Sequence, residues 1–312
     1  MTEGLRFSVP EPVRRRAISE GASGEAWLDG LDVVVASLEE DWHLTIGEPL
    51  PGGTAAFCAE ATNSTGDVFV IKLTTPASAI GRHEADVLQL ADGKGYVHLL
   101  RHDPARNAML LERLGENLAL VDIPYSQKID IASVTLLDAW MPVPQDGSYP
   151  TGADKANALA SDIMRMWNAS DRPCSPEVIE TALRYCKERA ALYRPEGAVL
   201  AHGDPHIGNL LADPNTDPIR FRLVDPDGLA IEPAYDLGVL LRGWNEGLTG
   251  KHAHAMARAR VRQLTQHTQV AAEPIWQWAY IERVSTGLLL LEIGDAEEGK
   301  TYLSTAEALL VF

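Results

Sequence analysis

Residues 202–228 read HGDPHIGNLLADPNTDPIRFRLVDPDG. The stretch holds two histidines, His202 and His206, and five aspartates, Asp204, Asp213, Asp217, Asp225 and Asp227, among prolines, glycines and short apolar runs. Pro205, Gly208 and Pro214 exclude one continuous helix, so the polar groups are presented on loops. Two strand-like runs, AVLAHG and FRLVDP, bracket it. HGD and VDPDG therefore each close an apolar run, which an acidic surface loop does not explain. Such a loop does explain Asp213 and Asp217 in ADPNTDP, expected to be solvated turn residues. His202, Asp204 and His206 could line one side of an extended segment as transition-metal ligands. No other His/Asp cluster with ligand spacing accompanies them. His202 is expected instead as a buried hydrogen-bonding residue that braces the loop.

Working outward, the chain changes character near its first third. Trp27, Leu31, Val34, Val35, Leu38 and Trp42 fall at helical spacing over 23–42. WHLTIGEPL, the turn PGG, AAFCAEATN, the turn NSTGD and VFVIKL then read as three strands joined by hairpins. A helix over PASAIGRHEADVLQLAD, with Pro76 near its start, and a hairpin VHLLRHDPARNAMLLERL turning at Asp103–Asn107 complete this part. After Gly115 the periodicity is mainly helical, with segments near 128–140, 153–169, 175–194, 234–246, 252–267, 273–291 and 295–310. The expected class is α+β: a β-rich N-lobe over 1–114 and a mainly helical C-lobe over 115–312.

The 312 residues suffice for two such lobes, and 46% hydrophobic with 23% charged residues is an ordinary globular composition. Lys and Arg total 27 against 44 Asp and Glu, a net charge of −17. Nucleic-acid binding needs clustered cations to replace counterions, so no nucleic-acid partner is expected. An acidic surface concentrates cationic small molecules, and it equally serves solubility. Cys58, Cys174 and Cys186 are odd in number and far apart, which argues for reduced thiols. The N-terminus MTEGLRFSVPEPVRRRAISEG lacks the apolar run of a signal peptide, and no stretch reaches membrane-spanning length. A soluble, cytoplasmic, monomeric protein is expected.

Asp204 and Asn209 lie five residues apart, and Asp225 follows sixteen residues later. Phosphoryl transfer needs this set of groups: a carboxylate to accept the hydrogen bond of an attacking hydroxyl, and hard oxygens to hold Mg²⁺ against nucleotide phosphates. The spacing matches the protein-kinase catalytic loop and its following metal-binding aspartate. Such a site needs a strand lysine, a helix carboxylate and a glycine-containing hairpin upstream, and all three occur in order. PGGTAAF supplies Gly52 and Gly53, without a full G-x-G-x-x-G. Lys72 lies in VFVIKL and needs a partner if buried, though a lone strand lysine also serves against edge aggregation. Glu84 in GRHEADVL is the natural partner. LLERLG places the backbone groups of Glu112 and Leu114 where an adenine edge could be bonded, or where a strand simply ends.

With these motifs in place, the sequence resembles the aminoglycoside phosphotransferases, small-molecule kinases with a protein-kinase-like fold. HGDPHIGN corresponds to their HGD-x-x-x-x-N loop, VDPDG to their metal motif and EPAYDLGVLLR to the segment that follows. VPEPVRRRA, GEAWLDGL, FVIKL and IERVSTGL look like the streptomycin 6-phosphotransferase and hydroxyurea-resistance branch. The resemblance implies that Asp204 positions the acceptor hydroxyl, Asn209 and Asp225 bind Mg²⁺, and Lys72 with Glu84 holds the phosphates of ATP. It implies a bracing role for Asp236. Ile231-Glu232 stands where the family has Gly-Asp, and Pro205 where it has leucine. No long activation segment separates VDPDG from EPAYDL, which favours a small-molecule acceptor over a peptide.

The expected partner is a small cationic hydroxylated substrate, streptomycin first, with another hydroxylated molecule such as an amino sugar as the alternative. Asp227, Glu232, Glu246 and Glu282 are candidates for its cationic groups, since carboxylates pair well with guanidinium and amine. A non-catalytic nucleotide-binding relative is the reading from another class, and the joint presence of Lys72, Asp204, Asn209 and Asp225 argues against it.

Overall fold

The computed structural model describes residues 8–76, 83–145, 149–248 and 250–310. The chain divides into two compact units, Met1–Gly115 and Glu116–Phe312.

The first unit opens with two helices, α1 (Glu11–Ser19) and α2 (Ala22–Trp42), the second ended by His43 in the left-handed conformation. A five-stranded antiparallel sheet follows: β1 (Leu44–Pro49), β2 (Ala56–Asn63), β3 (Val68–Thr74), β4 (Leu99–Asp103) and β5 (Ala108–Glu112), in the order β1-β2-β3-β5-β4. The helical stripe on α2 is its buried face. Leu31, Val35 and Leu38 share a core with Val13 and Ala17 of α1 and with Phe57, Ala59, Ile71, Leu73 and Leu110 of the sheet. Helix α1 packs so closely on α2 that a Cβ on Gly24 would lie 1.9 Å from the carbonyl oxygen of Ala17. At the β4–β5 turn, Asp103 Oδ1 accepts from the amides of Ala105 and Arg106, and Asn107 takes a positive φ. The hairpin predicted there forms as its sequence dictates. The helix predicted from Pro76 is present as α3 (Glu84–Ala91); Pro76 itself sits in a turn, and the intervening segment 77–82 lies outside the described residues.

The second unit holds helices α4 (Tyr125–Ala139), α5 (Gly152–Ala169), α6 (Pro176–Leu192), α7 (Ala234–Arg242), α8 (Ala253–Thr268), α9 (Ala272–Glu292) and α10 (Ala296–Ala308). Two short antiparallel pairs carry its loops: β6 (Val199–Ala201) with β9 (Leu229–Ile231), and β7 (Leu210–Asp213) with β8 (Arg220–Leu223). Helix α9 is the central element, with Ile275–Val284 buried on every side. Helix α7 crosses it at Gly238, where a Cβ would stand 2.6 Å from Trp278 Cβ. Two sequence expectations need correction. The helix predicted over 234–246 stops at Arg242, because Gly243 begins a turn that carries Trp244 and Asn245 away. Asp213 is not solvated: it is 1% exposed and receives Arg222 Nε and Nη2, each at 2.8 Å. Asp217 is exposed, as a turn residue should be. Among the described residues, no helix is long and apolar enough to cross a membrane.

Candidate active site

In the first unit the strand lysine is buried. Lys72 Nζ lies 2.6 and 2.7 Å from the two carboxylate oxygens of Glu84, the first residue of α3, and both side chains are under 10% exposed. An ammonium in such a place is held only by a well-matched carboxylate, since either charge alone would be costly there. Gly52 and Gly53 sit between β1 and β2 with φ of 97° and 75°, a backbone that favours glycine at both. Glu112 ends β5 with its amide bonded to His98 O at 3.1 Å and its Oε1 accepting the His98 amide at 2.8 Å. Leu114 has a buried side chain, its carbonyl accepts from Arg113 Nη1, and its own amide donates to no group among the described residues.

In the second unit, the loop after β6 is built on one buried carboxylate. Asp236 of α7 accepts the amides of His202 (3.0 Å) and Gly203 (2.9 Å) and the indole N–H of Trp140 (2.9 Å). Burial pushes its pKa up, and these three donors oppose the rise. His202 is fully buried and ties the two loops together. Its Nε2 meets the Val224 carbonyl at 2.8 Å, its Nδ1 accepts the Asp204 amide at 3.0 Å, and its own carbonyl accepts the Asp227 amide at 2.7 Å. Those partners require the neutral ring with its proton on Nε2. Gly203 has φ of 96°, and a Cβ there would come within 2.7 Å of Asp227 Cβ. Only glycine lets the two loops approach so closely.

Asp204 and Asn209 share one turn: Asn209 Nδ2 donates to the Asp204 carbonyl at 3.0 Å, and the Asn209 carbonyl accepts the Val224 amide at 3.0 Å. That second bond sets Asp225, with φ of 60°, directly after a residue fixed to Asn209. The side chain of Asp204 takes a bond on Oδ1 from Arg242 Nη2 at 2.6 Å, while Oδ2 is 3.8 Å from His206 Nε2. Burial would raise the Asp204 pKa, but the Arg242 guanidinium, together with smaller contributions from His206 and His202, more than reverses it, so the group stays below the usual carboxylate range. Asp227 is pushed up to about 6, by burial first and by the nearby carboxylates of Asp204 and Glu282, with Lys155 and His202 opposing.

The other expected substrate carboxylates divide. Glu246 is exposed in the turn beyond α7. Glu232 is tied to Trp278 Nε1 at 2.9 Å and to Arg189 Nη1 at 3.3 Å, though its side chain keeps 31% exposure. Glu282 is corrected to a scaffold residue: it is 4% exposed, with one oxygen on Tyr235 OH at 2.6 Å and the other on Arg242 Nη1 at 3.3 Å. The residue missed from sequence is Arg242, which is anchored by Glu282, itself held by the Tyr235 hydroxyl. The available signal was the spacing of Tyr235 and Arg242, two helical turns apart on one face of EPAYDLGVLLR.

No group of three His, Cys, Asp or Glu among the described residues is placed to hold a metal. Mg²⁺ bound with nucleotide phosphates asks for only one or two protein oxygens. Asn209 Oδ1 has no donor among the described residues, and an amide oxygen and a carboxylate, as Asn209 and Asp225 carry, are the hard donors such an ion takes.

The chain matches the family described as aminoglycoside/hydroxyurea antibiotic resistance kinase over residues 41–294. It is 27% identical to a streptomycin 6-kinase of Streptomyces glaucescens, covering 99% of both chains. It is 26% identical to a hydroxyurea phosphotransferase of Kitasatospora aureofaciens, over 93% of this chain and 82% of the relative. Among solved structures it is similar to an aminoglycoside phosphotransferase from Streptomyces rimosus, in complex with ADP and streptomycin, with a TM-score of 0.54 and 14% identity over 82% of this chain and 98% of the other. That likeness carries the fold: a two-lobed, kinase-like α+β architecture.

Proposed function

The chain belongs to the aminoglycoside/hydroxyurea antibiotic resistance kinase family, and from that premise we propose that it moves the γ-phosphate of ATP to a hydroxyl of a cationic aminoglycoside, streptomycin first. Phosphotransfer to a hydroxyl is the family's activity; the acceptor and the residue roles are our reading. Full-length similarity to a streptomycin 6-kinase supports the acceptor. The observation that carries the chemistry is Asp204, a carboxylate kept ionised by Arg242 on one oxygen and bearing no hydrogen bond on the other among the described residues.

In this reading the acceptor hydroxyl donates to Asp204 Oδ2. Its oxygen forms the new bond to the γ-phosphorus as the bond to the β-phosphate oxygen breaks, and its proton passes to Asp204. A carboxylate with a depressed pKa is a weak base, which suits a loose transition state where the proton moves late. Lys72, fixed by Glu84, neutralises phosphate charge, Gly52 and Gly53 let a backbone hairpin approach it, and the Leu114 amide is available to an adenine ring nitrogen. Asn209 and Asp225 would hold Mg²⁺, which would supply positive charge to offset that of the nucleotide phosphates. Asp227 and Glu246 are the carboxylates left to meet guanidinium or amine groups of the acceptor. The enzyme would act as a monomer in the cytoplasm, where ATP is supplied.

The test is ATP-dependent phosphate transfer to streptomycin, other aminoglycosides, amino sugars and hydroxyurea, with Asp204→Asn as control. Streptomycin turnover that falls by about 10²–10⁴ in the variant is the expected result. Turnover of amino sugars or hydroxyurea alone would overturn the acceptor and keep the kinase. Undiminished turnover by Asp204→Asn would overturn the role of Asp204.

A further inference from the structure

Beside Asp204 stands His206, with one ring nitrogen tied to the chain and the other near the carboxylate. The loop fixes this residue at several points. Its amide donates to the Asp204 carbonyl at 2.9 Å, its carbonyl accepts the Asn209 amide at 2.8 Å, and Pro205 locks φ between the two side chains. The imidazole Nδ1 accepts the Gly208 amide at 3.1 Å. A Cβ on Gly208 would stand 3.0 Å from Nδ1 and Cε1, so glycine lets the ring lie this close to the turn.

Because Nδ1 accepts, the neutral ring carries its proton on Nε2. Burial is the largest cause of a pKa below the ordinary imidazole value; Asp204 and Asp225 oppose it, and the charges of Arg242 and His202 add to it. Nε2 lies 3.8 Å from Asp204 Oδ2, too far for a direct hydrogen bond, and it makes no other among the described residues. Asp204 Oδ1 is taken by Arg242 Nη2 at 2.6 Å, which leaves Oδ2 to meet the ring. The His206 and Asp204 side chains keep 45% and 34% exposure, so an acceptor can reach them. A donor and an acceptor at this separation can both bond one oxygen. Capping the turn explains Nδ1 but not the rest of the ring, since Asn or Asp bonds the amide two residues on with a shorter side chain.

We propose that His206 is a second catalytic residue, its Nε2–H donating to one lone pair of the acceptor hydroxyl whose proton goes to Asp204 Oδ2. This rests on the reading of Asp204 as the proton acceptor. Held at both points, the hydroxyl turns its other lone pair to the γ-phosphorus. The new oxygen–phosphorus bond forms as the bond to the β-phosphate oxygen breaks, the hydroxyl proton passes to Asp204, and His206 keeps its own proton throughout. Donation to a nucleophile lowers its electron density. In a loose transition state, with little bond formation to the acceptor, that loss is outweighed by correct placement.

The test is phosphate transfer from ATP by the full-length protein to streptomycin, or to whichever of the amino sugars and hydroxyurea it turns over. In His206→Asn the amide oxygen stands in for Nδ1 and keeps the Gly208 bond, while the Nε2 donor is lost. Its kcat is expected to fall by about tenfold or more, with Tm and the KM for ATP unchanged. His206→Gln places an amide donor near the position of Nε2 and should be several-fold faster than His206→Asn, the reverse of what turn capping alone would give. In an Asp204→Asn background, His206→Asn should cost far less, because the two side chains act on one hydroxyl. Should His206→Asn fail to fold, His206→Gln against His206→Met compares side chains of one length with and without the donor, and Gln should be several-fold faster. A kcat of His206→Asn close to wild type, a Gln variant no faster than Asn or Met, or an undiminished cost in the Asp204→Asn background would each overturn the role of His206 alone. Undiminished turnover by Asp204→Asn would overturn the reading of Asp204 and the role of His206 with it.

Discussion

Arg242 Nη2 stands 2.6 Å from Asp204 Oδ1, and the same guanidinium reaches Glu282 through Nη1 at 3.3 Å. The planar fork holds one carboxylate, proposed here as the proton acceptor, and another that is buried, which a lysine cannot do with one point charge. Arg242→Lys should therefore lower kcat by about 10²-fold through misplacement of Asp204, with the KM for ATP little changed. The pH dependence separates this from a general loss of structure. Asp204 must be ionised to accept a proton, and Arg242 is the largest of the charges that hold its pKa below the usual range against burial. The acidic limb of the kcat profile should move to higher pH in Arg242→Gln; an unmoved limb would show that Arg242 does not act through Asp204.

The Lys72–Glu84 pair makes a stability prediction with two arms. Removing one partner leaves an uncompensated buried charge, at a cost of about 3–5 kcal/mol. Lys72→Met and Glu84→Leu alone should each lower Tm substantially. The double variant Lys72→Met/Glu84→Leu should recover most of that loss, because two apolar groups of similar size leave no orphan charge. Activity should not recover with it, since the cation proposed for the phosphates is gone. Recovery of both stability and activity in the double variant would remove Lys72 from nucleotide binding.

How far the sequence carried these assignments depends on the range of the interaction. The α2 stripe, the hairpin turns and the position of Lys72 on β3 are local patterns, with period or turn chemistry written into neighbouring residues. The loop-ending motifs HGD and VDPDG were legible for the same reason: apolar runs stop where β6 and β8 stop. Partners far apart in sequence were not legible. Glu282 reads from sequence as a candidate for a substrate cation, but α9 brings it to Arg242 and Tyr235, about 40 residues away. Asp213 carried turn chemistry in ADPNTDP, but the β7–β8 register, which sets Arg220 opposite it, brings Arg222 to it on the diagonal and makes it a buried ion-pair member. The short strands β7 and β9 have three or four residues each, too few for a period to show.

Asp227 gives a pH prediction of its own. Its folded pKa, raised to about 6, lies above the ordinary 3.8. Between these values the folded chain binds the extra proton, so Asp227 lowers stability as pH rises through this window. Binding of a cation at Asp227 runs the other way, because only the carboxylate attracts it. From about pH 5 to pH 7 the ionised fraction rises roughly tenfold. The KM for a cationic acceptor should fall over this range and flatten in Asp227→Asn, while the KM for ATP stays level in both. A wild-type acceptor KM independent of pH would exclude Asp227 from acceptor binding.

Gly238 links the packing of the helical unit to its chemistry. Helix α7 carries Asp236, which holds the amides of His202 and Gly203, and Arg242, which holds Asp204. Its distance from α9 is set where the Gly238 Cα meets Trp278 and the Ala279 amide, with an added Cβ 2.6 and 2.7 Å from them. Those contacts are a Cβ and backbone, so no side-chain rotation relieves them, and α7 must move as a body. Gly238→Ala should cost about 1–3 kcal/mol by overpacking. It should also lower kcat, although residue 238 touches no reacting group, because both anchors of the catalytic loop ride on the displaced helix. Measured below the melting transition, a kcat equal to wild type alongside a lowered Tm would mean that the loop holds its geometry without α7.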